Sequence, residues 1–195
     1  MRRLVILVAV LAVGCGGGEQ QGADEPEGEF KVEVVSASLP RLQHIGEDVE
    51  LKVRVRNADD ETLRNVAVTV ATQPEGVNAP AAFGQRDVLA GQADSTRPIW
   101  VLSEGPAGGD TVYVNTWLAG TLQAGEEREL TWSLVPSRAG SYVLDYSVAP
   151  GLTGKARAAA GNTSGTLRVR ISDEPPPARV DDDGEVIRTE AGSSG

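Results

Sequence analysis

The chain has 195 residues, with 28 acidic against 18 basic side chains and a formal net charge of −10. A surface this acidic repels phosphate backbones, which excludes nucleic acid from the expected partners. A single cysteine rules out an internal disulfide, and 40% hydrophobic residues with only 4% aromatic ones point to a core built mostly from aliphatic side chains.

Arg2 and Arg3 precede an unbroken apolar run over residues 4–13. A bilayer span takes about 20 such residues, so this run has the length of a signal-peptide h-region instead. It leads into LAVGCGGG, which contains Cys15. The stretch resembles the lipobox of bacterial lipoproteins, where a leucine, a small residue and glycine or alanine precede an acylated cysteine. Gly14 and Cys15 match, while Ala12 stands where the leucine usually does and Leu11 is one place early. The resemblance implies that residues 1–14 are a lipoprotein signal peptide. It makes Cys15 the lipidation site, bearing palmitate-type chains on the extracytoplasmic face of a bacterial membrane. More than one acyl chain is what stable anchoring needs. The competing reading, a free thiol after an ordinary signal peptide, leaves an exposed cysteine open to oxidation.

Residues 15–30 are glycine-rich and acidic and read as a flexible, lipidated tether, roughly 20 Å end to end as a coil. Alternation then marks strands. In DVELKVRVRN, Val49, Leu51, Val53 and Val55 alternate with Glu50, Lys52, Arg54 and Arg56. The same period recurs over residues 64–71, 129–134, 141–148 and 166–171. The first strand carries Phe30, Val32 and Val34 in one phase, then Val35, Ala37 and Leu39 in the other, which predicts a bulge that lets it serve two sheets. NADDET, residues 57–62, reads as a polar turn of a hairpin or a sandwich corner, and LQAGEE and PSRAG punctuate later strands. No stretch has convincing helical periodicity. Many short strands with turn signals between them predict an all-β antiparallel sandwich over residues 31–172. The acidic, proline-rich residues 173–195 predict a disordered tail.

VELKVRVRNADDETLRNVAVTV resembles the opening hairpin of CARDB and related immunoglobulin-like domains of bacterial surface proteins. GTLQAGEERELTWSLVPSRAGSYVLDYSV resembles their later half. The resemblance covers residues 31–71 and 120–148 best. It implies an immunoglobulin-like sandwich used in adhesion, spacing or envelope assembly, and it carries no residue roles.

Residues 72–119 are long for a sandwich connection and read as an insertion holding Phe83, Trp100, Tyr113 and Trp117. Two readings stand. Trp100, Tyr113 and Trp117 form a binding face for a sugar or a partner protein, or the segment is further strands with the tryptophans in the core. The apolar neighbours of both tryptophans favour the second.

Residues for chemistry are sparse. His44 is the sole histidine, and no Gly-x-Ser-x-Gly motif is present. GPAGGD lacks the lysine and hydroxyl of a phosphate loop and reads as a turn. VDDDGEVIRTE has Arg179 where a calcium loop needs its first aspartate, NADDET reads as a charged corner, and the sequon at Asn162 carries little weight in a bacterial lipoprotein. No enzyme activity, cofactor or metal is expected. The expected function is a membrane-anchored, non-catalytic binding, adhesion or envelope-scaffold module with a protein or glycan partner. The alternative is a carbohydrate-binding module using residues 72–119.

Overall fold

The computed structural model describes residues 25–72, 83–85, 98–113, 115–174, 176, 178–180, 183 and 186–188. Cys15, the expected signal peptide and the tether as far as residue 24 lie outside the described residues.

All regular structure among the described residues is β. The chain enters through β1 (Gly28–Phe30) and β2 (Val32–Ser38), then β3 (Leu42–His44), β4 (Val49–Asn57) and β5 (Leu63–Thr72). The segment expected as an insertion contributes β6 (Phe83–Gln85), β7 (Trp100–Ala107), β8 (Asp110–Tyr113) and β9 (Thr116–Leu122). The later half follows as β10 (Glu127–Pro136), β11 (Gly140–Ala149), β12 (Ala156–Ala158) and β13 (Ser164–Ser172). Beyond it, β14 (Ala178–Val180) pairs antiparallel with β15 (Val186–Arg188).

Two sheets form the sandwich. One has five strands in the order β2-β4-β10-β7-β6, the other six in the order β3-β13-β11-β5-β9-β8. The predicted alternation faces them inward: Leu51, Val53 and Val55 from β4 and Leu130, Trp132 and Leu134 from β10 are at most 1% exposed. Each of the three turns seen in the sequence is a corner between sheets and not a hairpin, since β4 and β5, β9 and β10, and β10 and β11 lie in opposite sheets. In immunoglobulin terms β2, β4, β10 and β7 take the A, B, E and D places, and β13, β11, β5 and β9 take G, F, C and C′.

The E–F corner carries a further mark of that fold. At the start of β11, Tyr142 donates its hydroxyl to the Ala139 carbonyl at 2.9 Å, the tyrosine corner of such domains. Burial pushes the Tyr142 phenol up, against a smaller opposing effect of Arg138. Tyr142→Phe keeps the ring and loses one hydrogen bond, so a loss of about 1 kcal/mol is expected in urea unfolding. No change beyond error in the midpoint contradicts a structural role for that bond.

The structure corrects several boundaries. Val35 is the predicted bulge: it drops out of the β2–β4 register and is 43% exposed. The change of sheet, however, comes later, past Pro40, which has no N–H to continue the β2 ladder. The chain then re-forms as β3, parallel to β13 in the other sheet. Within residues 72–119 the described stretches 83–85, 98–113 and 115–119 lie mostly in strands β6 to β9, and the chain crosses between sheets at Gly108–Gly109 (φ of Gly108 is 86°). A side chain at Gly108 would sit 2.5 Å from the Glu129 carbonyl, and one at Gly109 2.6 Å from that of Leu118, so only glycine threads this gap. Upstream, Pro106 is absorbed where β7 bulges against β10. The tail is not wholly irregular either. The β-branched Val180, Val186 and Ile187 supply strand propensity around an Asp183-Gly184 hairpin signal that the acidic composition masked.

The two ends of the sandwich are distinct. Connections 58–62, 123–126 and 150–163 gather at the pole where β1 begins; 39–48 and 137–139 lie at the other, where β13 ends. The first pole is tied by Asn57, which is fully buried. Its amide nitrogen donates to the carbonyls of Glu61 (2.7 Å) and Leu122 (3.0 Å), and its side-chain oxygen accepts from the Asp59 amide at 2.9 Å. Asp59 in turn accepts from the Lys31 amide at 2.7 Å, the leading reason its carboxyl is held below its usual range.

Candidate functional site

Trp100, Tyr113 and Trp117 are not brought together on one surface. Trp100 on β7 is 0% exposed and Trp117 on β9 is 3% exposed, whereas Tyr113 at the end of edge strand β8 is 55% exposed. The two indoles belong to a continuous aromatic row through the core. Tyr142 meets Trp100 at 6.0 Å between ring centroids, Phe83 meets Trp100 at 6.2 Å and Trp117 at 5.7 Å, and Trp117 meets Trp132 edge-on at 5.2 Å. Such pairs add about 0.5–1.5 kcal/mol each beyond area burial.

The row also carries the polar accounts of the core. Trp100 Nε1 donates to Gln43 Oε1 at 2.8 Å, and the fully buried Gln43 returns its amide to the Pro40 carbonyl at 2.8 Å. This joins β3 of one sheet to β7 of the other. The indole nitrogens of Trp117 and Trp132 have no hydrogen-bond partner among the described residues. The cost of those unpaired N–H groups is set against the apolar ring contacts with Phe83 and between the two indoles.

The outer faces differ in chemistry. On the five-stranded sheet opposite charges pair across strands, Arg54–Glu129 at 2.9 Å and Arg56–Glu33 at 3.6 Å, and along β4 itself, Lys52–Glu50 at 2.8 Å. These pairs are exposed and screened by solvent, so each contributes little. The six-stranded sheet instead has a shallow groove of about 310 Å³, lined by Thr69, Ala71, Asp145, Ser147, Ser164 and Thr166. Small side chains on β5, β11 and β13 open it, while on the core side of the same sheet the Tyr146 ring packs against Gly165. Thr69 shares a hydrogen bond with Thr116 at 3.0 Å.

This groove is lined by hydroxyls and the Asp145 carboxylate. Nucleophilic chemistry needs a base beside a hydroxyl, and the sole histidine is remote. His44 pairs with Ser172 in the sheet, so about 20 Å of β13 separates it from Thr166 at 3.3 Å per residue. Its Nδ1 lies 2.9 Å from the Glu174 carbonyl.

One buried group gave no signal in the sequence. Glu25, inside the stretch expected as flexible tether, is only 6% exposed. Its carboxylate accepts the backbone amides of Leu152 and Thr153 at 2.8 Å each and of Ala156 at 3.0 Å. Burial alone raises its pKa, but the three amides together outweigh burial and hold the carboxyl below its usual range. Glu25, expected as tether, is thus packed and bonded against the 150–163 connection. Nothing separates Glu25 from its acidic neighbours in sequence; only the facing loop distinguishes it.

The chain matches no known family model and no curated protein. Among solved structures it is similar to a CARDB domain from Pyrococcus furiosus, at 19% identity over 75% of this chain and 99% of that one, with a TM-score of 0.45. A crystal structure of that domain in complex with di-metal ions gives 14% identity, 80% and 100% coverage and a TM-score of 0.46. A cohesin module from a Clostridium perfringens family 33 glycoside hydrolase gives 12% identity, 74% and 99% coverage and a TM-score of 0.43. The immunoglobulin-like architecture rests on the strand order above, and these likenesses assign no ligand to this chain.

Proposed function

We propose that this chain is a non-catalytic surface module, lipid-anchored through Cys15 on the outer side of a bacterial membrane, that spaces or scaffolds envelope partners. The observation that carries this reading is the polarity of the sandwich. The chain enters at the pole of Glu25 and leaves at the opposite pole, past Ser172. Strands such as β4, with nine residues, set those poles roughly 30 Å apart. A tether at one end and a continuing chain at the other suit a spacer in series better than a terminal catalyst. The carbohydrate reading is less well supported, because a stacking platform from the three aromatic candidates reduces to Tyr113 alone.

The anchor is tested directly. Cys15→Ala is expected to abolish incorporation of labelled fatty acid and to move the protein from the membrane fraction to the soluble one. Retention of label and membrane association in that variant contradicts the anchor. Cross-linking on intact cells, followed by purification, tests the scaffold role: envelope proteins are expected among the products, and glycan alone supports the carbohydrate reading instead.

A further inference from the structure

The 150–163 connection between β11 and β13 takes its shape from the start of the chain. Glu25 satisfies three of its amides. Next, β1 pairs in parallel with β12, Gly28 donating to the Lys155 carbonyl at 3.2 Å and Ala159 to the Phe30 carbonyl at 2.8 Å. Finally, Val34 donates to the Asn162 carbonyl at 2.7 Å while the Asn162 side chain returns to the Val34 carbonyl at 2.5 Å. Residues 25–34 thus run along the connection from one end to the other.

The contact is built from both sides. Gly151 is buried, and any side chain there would run into the Glu25 carboxylate. The site is closed by a glycine on the loop and filled by a charge from the segment just before β1. A carboxylate accepting backbone amides out of water makes strong, charge-assisted hydrogen bonds. The β1–β12 pairing that continues it spans only three residues on each strand, so the segment depends heavily on Glu25.

We propose that residues 25–30 are a strap that couples the N-terminal tether to the 150–163 connection: seated, it fixes the connection; pulled off through the tether, it releases it. Coupling to a membrane rests on the anchor proposed above, whereas the strap itself does not. Glu25 is a positioning residue in this device. Opening it lengthens the tether by the six strap residues, about 20 Å when extended, and frees the amides of Leu152, Thr153 and Ala156 together.

Both tests use the unlipidated full chain, so that their failure is separate from failure of the anchor. In hydrogen exchange, Glu25→Gln is expected to speed the amides of Leu152, Thr153 and Ala156 at least tenfold, with those of Leu51 and Val53 unchanged. Gly151→Val, which displaces the carboxylate from the loop side, should give the same three-amide signature. Unchanged exchange at those amides in Glu25→Gln, or equal acceleration of Leu51 and Val53, overturns the strap. For the pull, Cys15 serves as the sole thiol handle against a C-terminal tag. A low-force extension step before sandwich rupture is expected, and it should vanish in Glu25→Gln. A wild-type trace with rupture as its first event overturns the coupling.

Discussion

Trp100→Ala is expected to cost about 3–5 kcal/mol of folding stability, the range for emptying a buried tryptophan site. That is a large share of the stability of an ordinary domain, about 5–15 kcal/mol. The ring is fully buried between Phe83 and Tyr142, so neighbours on both sides lose contact when it is removed. The substitution also removes the hydrogen bond that Gln43 Oε1 accepts among the described residues. The two effects separate in a second variant. Trp100→Phe retains most of the packing but leaves the Gln43 oxygen unpaired, which costs about 1–3 kcal/mol. Adding Gln43→Leu to Trp100→Phe should recover part of that loss, because both partners of the indole–amide bond are then gone and only the Pro40 carbonyl loses a donor. Urea midpoints of the three variants measure this. If Trp100→Phe alone unfolds within 0.5 kcal/mol of wild type, the Gln43 link between sheets is not a structural bond.

How much of this was legible in the sequence follows from how local each determinant is. Alternation in β4, β5, β10, β11 and β13 depends only on neighbours two residues apart, so it read directly as strands with one buried face. The bulge at Val35 was legible for the same reason, as a phase slip. What alternation does not carry is which strand pairs with which. The turn 57–62 looked the same whether it made a hairpin or a corner, and the choice rests on the Asn57 bonds to residue 122, far along the chain. Residues 72–119 read as an insertion because they are long for a sandwich connection, and Pro106 and the glycines 105, 108 and 109 fall where β7 gives way to β8 in the other sheet. The apolar surroundings of Trp100 and Trp117 were visible, and they accord with the burial of both rings; the exposure of Tyr113 depends on β8 being an edge. Glu25 was illegible, since a carboxylate that seats itself on a loop more than a hundred residues away leaves no local trace. The same locality limits function: a groove assembled from β5, β11 and β13 has no motif.

The second large effect is expected at Asn57. Asn57→Ala strands the Leu122 carbonyl inside the pole and leaves the Glu61 carbonyl and the Asp59 amide to find water. At about 1–3 kcal/mol per orphaned buried group, with the last two partly hydrated, a loss of about 2–4 kcal/mol follows. Asn57→Asp makes the sharper test. The new carboxylate still accepts from the Asp59 amide but faces two carbonyls it cannot donate to, in a corner that also carries Asp59, Asp60 and Glu61. Burial and like charge both raise the pKa of the introduced carboxyl in the folded state above its unfolded value. The folded state then holds the proton more tightly than the unfolded one, so the penalty is full above the raised pKa and shrinks as pH falls through it. A protonated carboxyl also regains one donor for the Leu122 or Glu61 carbonyl. The difference in urea midpoint between Asn57→Asp and wild type should therefore narrow from pH 7 to pH 5, while that between Asn57→Ala and wild type should not. Parallel pH profiles for the two variants contradict a buried, donor-dependent Asn57, and place the hold on this pole in the backbone of the corner itself.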